Sequence, residues 1–342
     1  MKILYVDGTG GYSPLRLADR ACGGIITSLT ILPQYLAAKG HTVVVASEYE
    51  GPSVNGVEYV RLIRDRDREA DVVIFNRNIY NHAFLDQFPK ARKIWWLHDI
   101  VDHRYMEDDS YLRMDTIVAL SRYCAESYAD FFTIPATKFV VIPNGVDKTV
   151  FHPSATHNRN LFVCASATVK GLYPVSFAWQ NLRRINPAAE LRVYSSQKLH
   201  DKEDGEREKE QLRRLASEGA VIMEPVAQRE LAEAFRQARA VLMPNHYPEI
   251  CSNILLQAQA SGTVVVSSAI GSAHEFILHR DTGLLTRTKP HDLFWWWKDF
   301  AEQTVLAATD DGLYARIHAR AGQDVMGWHE VGEKWEKLLG RS

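Results

Sequence analysis

Short apolar runs alternate with amphipathic stretches along the whole chain, and this alternation limits the fold more than any other feature. In the first half the runs are KILYVD, HTVVVAS, DVVIFN, KIWWLHD, TIVALS and FVVIPN. In the second half they are LFVCAS, ELRVYSS, AVIMEP, AVLMPN and TVVVSS. They are rich in Val and Ile and nearly continuous, as strands buried on both faces of a parallel sheet must be. Between them lie helical stretches such as QRELAEAFRQAR and YPVSFAWQNLRRIN. Repeated strand–helix alternation gives a doubly wound α/β fold. Eleven strands are too many for one small sheet, and 342 residues are about twice the length of a single core. Two such domains are expected.

The polar stretch NGVDKTVFHPSATHNRN separates them, placing the first domain at 1–148 and the second at 149–324. Residues 325–342 read as a terminal helix. Its Trp328, Val331, Trp335 and Leu338 recur at helical spacing and need an apolar surface, expected on the first domain. Pro33 falls inside the helical reading of GGIITSLTILPQYLAAKG, where it costs ~3 kcal/mol and removes a bond to the Leu29 carbonyl. A kink or a break is expected there.

A net charge of -2 argues against nucleic-acid binding through bulk positive charge and leaves only local basic patches open. Cys22, Cys124, Cys164 and Cys251 form no C-x-x-C pair and read as reduced thiols, not as a disulfide framework or zinc site. The start, MKILYVDGTGG, has too few apolar residues for a signal peptide, and no run approaches the ~20 residues that span a bilayer. A cytoplasmic location is expected, with peripheral membrane contact left open. RLIRDRDREAD reads as a solvated loop, and EDD at 107–109 resembles a metal-binding D-x-D only superficially. Trp295, Trp296 and Trp297 cannot share one helix face, so one of them should be partly exposed. It would pack between helices or touch an acceptor or a membrane interface.

In open α/β sheets ligands bind at the carboxyl ends of strands, where helix N-termini favour anions. Three segments fit that rule. In CGGIITSL, Gly23 and Gly24 open a helix and would let backbone N–H groups approach a phosphate, although a glycine pair also simply makes a turn. In ASATVKGL, Lys170 lies just past a strand end beside Gly171, as a cation for a diphosphate or as a solvated lysine. In HYPEICSNILLQAQASG, Glu249 is the one acidic residue. Ser252 is a good N-cap, residues 253–261 read as helix, and Gly262 is a natural stop. Asn253 and Gln257, four apart, share a face. Glu249 either complements the helix dipole or receives hydroxyl hydrogen bonds from a ligand whose phosphates occupy the helix end. Spacing alone leaves both open.

The last segment resembles the E-x7-E motif of retaining glycosyltransferases of family four (glycosyl transferases group 1), which have the GT-B fold. Here it runs Glu249, seven residues, then Gln257-Ala258-Gln259-Ala260-Ser261-Gly262 and TVVVSS. GGIITSLTILPQYLAAKGHTVVVAS, WWLHD, VVIPNGVDKTVFHP, ASATVKGL and GSAHEFILHRDTGLLT are similar to further family segments, in family order over almost the whole chain. The resemblance implies two Rossmann-like domains facing across a cleft, the first for the acceptor and the second for the nucleotide-sugar. It implies that Glu249 binds donor-sugar hydroxyls near the anomeric centre, and that Lys170 neutralises the leaving diphosphate. His98 would hydrogen-bond the sugar, and Gly24, with Gly23 beside it, would offer a backbone donor to the diphosphate. Ile250, Cys251, Ser252, Asn253 and Ile254 would hold sugar and diphosphate, and Gln257 would meet the ribose.

Two positions depart from the family pattern. Gln257 replaces the second glutamate and loses charge-assisted strength. Ala165 stands where many members have an Arg; Ser166 beside it is counted with the donor-binding residues, since a related subgroup has serines there. The expected function is transfer of a sugar from a nucleotide-sugar to an acceptor hydroxyl (a glycan, a lipid-linked sugar or another hydroxyl) with retention and without metal or other cofactor. The rival reading is a non-catalytic nucleotide-sugar-binding or partner protein on the same fold. A sugar epimerase on a similar two-domain fold fits the Glu249–Gln257 region less well.

Overall fold

A computed structural model describes residues 1–8, 10, 13–62, 69–101, 109–165 and 167–340. Ser166, most of the charged run at 61–71, and Glu107 and Asp108 therefore lie outside the described residues. The chain forms two compact units. One comprises Met1–Leu17, Gly24–Gly145 and Trp328–Ser342; the other comprises Ala18–Gly23 and Val146–Gly327. The divisions fall a few residues from 148/149 and 324/325 for a physical reason. Val146, Phe151 and Val325 are buried in the apolar core of the second unit, so the polar stretch around them is not a free linker.

The first unit holds an eight-stranded sheet: β1 (Lys2–Val6), β2 (Thr42–Ser47), β3 (Gly51–Val54), β4 (Val57–Arg61), β5 (Val72–Asn76), β6 (Arg92–Trp96), β7 (Thr116–Ala119) and β8 (Phe139–Val141). The order is β3-β4-β2-β1-β5-β6-β7-β8, parallel except for the β3–β4 hairpin. That hairpin turns on Asn55 and Gly56, both at positive φ (50° and 81°), the primed-turn geometry that Asn-Gly favours. The helix Gly24–Ala38 runs on through Pro33 and does not break there; Pro33 is buried in it. The helix Trp328–Leu338 packs against it, pressing Gly332 onto Tyr35 and Trp335 onto Trp96, ring centroids 5.2 Å apart. Trp328, Val331 and Trp335 are buried by that packing.

The second unit holds a six-stranded parallel sheet: β9 (Asn158–Cys164), β10 (Glu190–Val193), β11 (Val221–Ile222), β12 (Ala238–Met243), β13 (Val264–Ser267) and β14 (Leu284–Leu285). The order is β11-β10-β9-β12-β13-β14. Strand residues alternate between two cores, one on each face. Phe162, Cys164, Ala240, Leu242, Val264 and Val266 pack with the helices Tyr173–Ile185, Leu293–Thr309 and Asp311–Arg320. Leu161, Val163, Val241, Met243 and Val265 pack with Gln228–Gln237 and Asn253–Ala260. Within the tryptophan run, Trp296 is buried and its Nε1 donates to Ser268 Oγ at 3.1 Å. Trp297 stacks on Tyr173, and Trp295 is 60% exposed.

Both sheets are doubly wound, and each has a point where strand order reverses: β1/β5 in the first, β9/β12 in the second. Loops leaving neighbouring strands diverge at such a point and open a crevice.

Candidate active site

Lys170 and Glu249 come from the two loops that leave the β9/β12 reversal. Lys170 ends a short 3-10 turn, Thr168–Lys170, after β9; Gly171 follows at φ +97°. A Cβ on Gly171 would lie 3.0 Å from His246 Nδ1, so the two loops approach closely only because a glycine stands there. The Lys170 ammonium donates to Glu249 Oε1, and Asn245 Nδ2 donates to Glu249 Oε2 at 2.8 Å. His246 Nδ1 lies 2.8 Å from the Lys170 carbonyl, which accepts from it when that nitrogen carries the proton. The lysine and glutamate side chains are 20% and 14% exposed. Burial lowers the Lys170 pKa to about 8, so its charge is sensitive to pH just above neutrality.

A second turn fixes the Glu249 backbone. Ser272 N and Ser272 Oγ both donate to the Glu249 carbonyl at 2.9 Å. Gly271, at φ +61°, leaves no room for a side chain: a Cβ would lie 2.5 Å from the Glu249 carbonyl oxygen and 2.7 Å from its nitrogen. Glu249 is thus set from below by the 271–272 turn and from the side by Asn245. Asn245 is 5% exposed and its Oδ1, buried, has no hydrogen-bond partner among the described residues.

The helix Asn253–Ala260 follows at once. Ser252 takes the N-cap position as expected, but its side chain makes no capping bond. The helix start is therefore not closed by that hydroxyl, and anions are favoured at such ends. At the other end Gly262 N donates to Gln259 O and Thr263 N to Ala258 O, the paired bonds of a Schellman stop, with Gly262 at φ +72°. Ile250 is buried, and Cys251 and Ile254 pack partly into the core; the two isoleucines offer only their backbone for polar contact. The two glutamines of this helix differ. Gln259 Nε2 donates to Phe276 O and Thr282 O and is a core residue. The Gln257 side chain, 6% exposed, makes no hydrogen bond among the described residues. Ala165 is buried at the end of β9 and contributes no charge.

His98 and Gly24 belong to the first unit. Gly24 is the first residue of its helix; Gly23, buried, groups with the second unit. His98 follows β6 with its ring against Trp96, centroids 4.3 Å apart. Its Nε2 is buried without a partner among the described residues, and burial, aided by the Arg77 guanidinium, lowers its pKa to about 3. The imidazole is neutral at any ordinary pH, able to donate or accept one hydrogen bond. At the β1/β5 reversal nearby, Arg77 sits at φ +64° between Asn76 and Asn78 and pairs with Asp99. The Asn76 side chain, fully buried, has no partner on either amide atom among the described residues. Left-handed backbone at a non-glycine residue beside unpaired polar groups is the kind of local cost that functional sites retain.

Sequence reasoning named Lys170, Glu249 and the 250–257 segment, and the second unit brings these together. It missed Asn245 and His246. Both stand within four residues of Glu249, which was the available signal.

Comparison with known proteins bears on the fold and the family. A family model for glycosyl transferases group 1 matches residues 158–295, and one for glycosyltransferase family 4 matches residues 66–150. The chain is 30% identical over 232 residues to a D-inositol 3-phosphate glycosyltransferase of Stackebrandtia nassauensis, covering 63% of this chain and 51% of that protein. It is 24% identical to a glycogen synthase of Mycobacterium tuberculosis, covering 68% of this chain and 55% of that one. The chain thus spans about half the length of the curated relatives it matches. Among solved structures, Anabaena HepE in complex with UDP and glucose is similar with a TM-score of 0.72 at 15% identity, covering 100% of both chains. A sucrose-phosphate synthase of Thermosynechococcus elongatus is similar with a TM-score of 0.74 at 16% identity, covering 99% and 98%. At such identities the structures speak for the fold alone, which is GT-B. The two matched spans, one in each half, take in well over half of the sequence, and the chain belongs to the group 1 (family four) glycosyltransferases.

Proposed function

We propose that the protein transfers a sugar from a nucleotide-sugar donor to an acceptor hydroxyl, with retention at the anomeric carbon and without a metal ion. The observation that supports this most is the convergence of Lys170, Glu249 and the Asn253–Ala260 helix start at the β9/β12 reversal. A cation and a helix N-terminus suit a diphosphate; a carboxylate beside them suits sugar hydroxyls.

In this mechanism the bond between the anomeric carbon and the diphosphate oxygen breaks while the acceptor oxygen bonds to the same face. The acceptor proton passes to the leaving phosphate oxygen. Lys170 and the backbone N–H groups of the helix start stabilise the charge developing on the diphosphate, which is the main catalytic contribution. Glu249 orients the sugar as positive charge grows on it. Gln257 accepts from a ribose hydroxyl, and the neutral imidazole of His98, in the first unit, suits a hydroxyl. The acceptor is a glycan, a lipid-linked sugar or another hydroxyl compound, met by loops of the first unit. Similar proteins point the same way: HepE was solved with UDP-glucose, and GtfA, a pneumococcal O-GlcNAc transferase, with UDP and GlcNAc. Among the described residues no helix is long and apolar enough to cross a membrane.

Thermal-shift screening against UDP-, GDP-, dTDP- and ADP-sugars identifies the donor, since a ligand that binds the folded state raises its melting temperature. Turnover of that donor is then measured with and without EDTA. Equal rates are expected; a loss that Mn²⁺ or Mg²⁺ restores contradicts the metal-free mechanism. Binding without hydrolysis or transfer would favour the non-catalytic alternative.

A further inference from the structure

Thr168 opens the turn that ends in Lys170, and its hydroxyl points inward: Thr168 is 1% exposed and its Oγ1 donates to Asp204 Oδ1 at 2.9 Å. The same carboxylate accepts from Gln197 N on Oδ1 at 2.8 Å and from Ser196 Oγ on Oδ2 at 2.6 Å. Asp204 is itself buried, and no lysine or arginine forms an ion pair with it among the described residues. Burial pushes its pKa up, but the bonds from Ser196, Gln197 and Thr168, with a smaller pull from the Lys198 charge, outweigh that and hold it below the usual carboxylate range. On the far side of Lys170, Leu172 N donates to buried Gln211 Oε1 at 3.1 Å. The turn is therefore tied at both ends by side chains from the loop and helix that follow β10.

A buried carboxylate is costly unless fully hydrogen-bonded, and an apolar side chain would fill this space at lower cost. A lysine left on a loose turn swings its ammonium into water. Both facts are accounted for if the carboxylate holds the turn. We propose that Asp204, acting through Thr168, is a positioning residue for Lys170: it fixes the turn that presents the ammonium to the diphosphate of the donor. This rests on Lys170 being the diphosphate ligand.

The test is a double-mutant cycle read by calorimetry, using whichever of UDP, GDP, dTDP and ADP binds the wild type most tightly. Thr168→Val and Asp204→Asn should each weaken that nucleotide about 10-fold, within the range for residues sharing one hydrogen-bond network. Thr168→Ser, which keeps the hydroxyl, should bind as wild type. In a Lys170→Ala background the same substitutions should change affinity by less than about 2-fold, because the group they position is gone. The pH above which affinity falls should also move upward in Thr168→Val, since a displaced ammonium reaches water. If Lys170→Ala weakens binding while Thr168→Val does not, or if the two losses add in full, the positioning role is overturned. If Lys170→Ala itself binds as wild type, the diphosphate assignment fails first, and the two failures are told apart. The Val and Ser variants at 168 carry the test even if Asp204→Asn does not fold.

Discussion

Lys170 and Glu249, 79 positions apart in sequence, form an ion pair at the point where the strand order of the second sheet reverses. Each occupies the other's charge, so a ligand that engages both must separate them: its anion takes the lysine and its hydroxyls take the carboxylate. Lys170→Ala should lower kcat/KM for the donor by ~10²-fold or more, the scale of losing one charge aimed at a leaving group. Its melting temperature should stay within about 3 °C of wild type, as Glu249 keeps its bond from Asn245. Unchanged kcat/KM would remove Lys170 from the site.

Affinity for a nucleoside diphosphate should depend on pH through the same group. Lys170 titrates at about 8 and binds an anion only when protonated. Below that pH the cation is present and affinity is flat. Above it the protein must first take up a proton, so Kd should rise by up to about tenfold per pH unit. Calorimetry from pH 6.5 to 9.5 checks this. In Lys170→Ala the slope should vanish; a slope that persists assigns it to another group.

Gly271→Ala should reduce activity more than its stability loss explains. The φ of +61° and the 2.5 Å approach to the Glu249 carbonyl leave no strain-free place for a methyl group. Destabilisation of more than ~1 kcal/mol is expected by chemical denaturation. Because the turn it distorts carries the bonds from Ser272 to Glu249, donor hydrolysis by the fully folded fraction should also fall. Full activity per folded molecule would mean that the turn does not set Glu249.

Much of this was legible from periodicity and some was not, for reasons visible in particular residues. The eleven apolar runs are all strands: in the central strands burial on both faces marks nearly every residue, while at the sheet edges β8 and β11 stay apolar though none of their residues is buried. The β3–β4 hairpin escaped notice since GPSVNGVEYVR lies at the sheet edge and is largely exposed; Asn55-Gly56 was its signal. The two-residue β14 is too short to leave a period. Lys170 and Glu249 were each visible, but their contact depends on β9 lying beside β12, which is a matter of strand order and not of local pattern. The resemblance singles out Gln257 over Gln259, two residues away, but local pattern does not give their surroundings. Only the packing shows that Gln259 is tied to Phe276 and Thr282 while the Gln257 side chain has no hydrogen bond among the described residues. Ser252 looks like a capping residue and occupies the right place, yet its hydroxyl does not cap.

That distinction yields a prediction for Gln257. Replacing it with Glu should preserve or strengthen nucleotide binding, by supplying a charged acceptor for a ribose hydroxyl. Replacing it with Leu should weaken binding about tenfold by leaving that hydroxyl unpaired. The pair of dissociation constants decides the matter, and equal affinity for both variants would refute the ribose contact.

The most direct test of the account is the acceptor-independent hydrolysis of the matched nucleotide-sugar by wild type and by Glu249→Ala. Water can take the place of the acceptor hydroxyl, so a catalytic wild type should release free sugar slowly. Loss of the one carboxylate held by Asn245, Lys170 and the 271–272 turn should cut that rate by ~10²–10³-fold, as for a preorganised polar group at a reacting centre. Free nucleoside diphosphate should bind the variant at least as tightly as wild type, because Lys170 is released from its partner. A variant that hydrolyses the donor at the wild-type rate, or one that loses nucleotide affinity together with activity, would contradict the division of labour in which Glu249 reads the sugar and Lys170 the diphosphate.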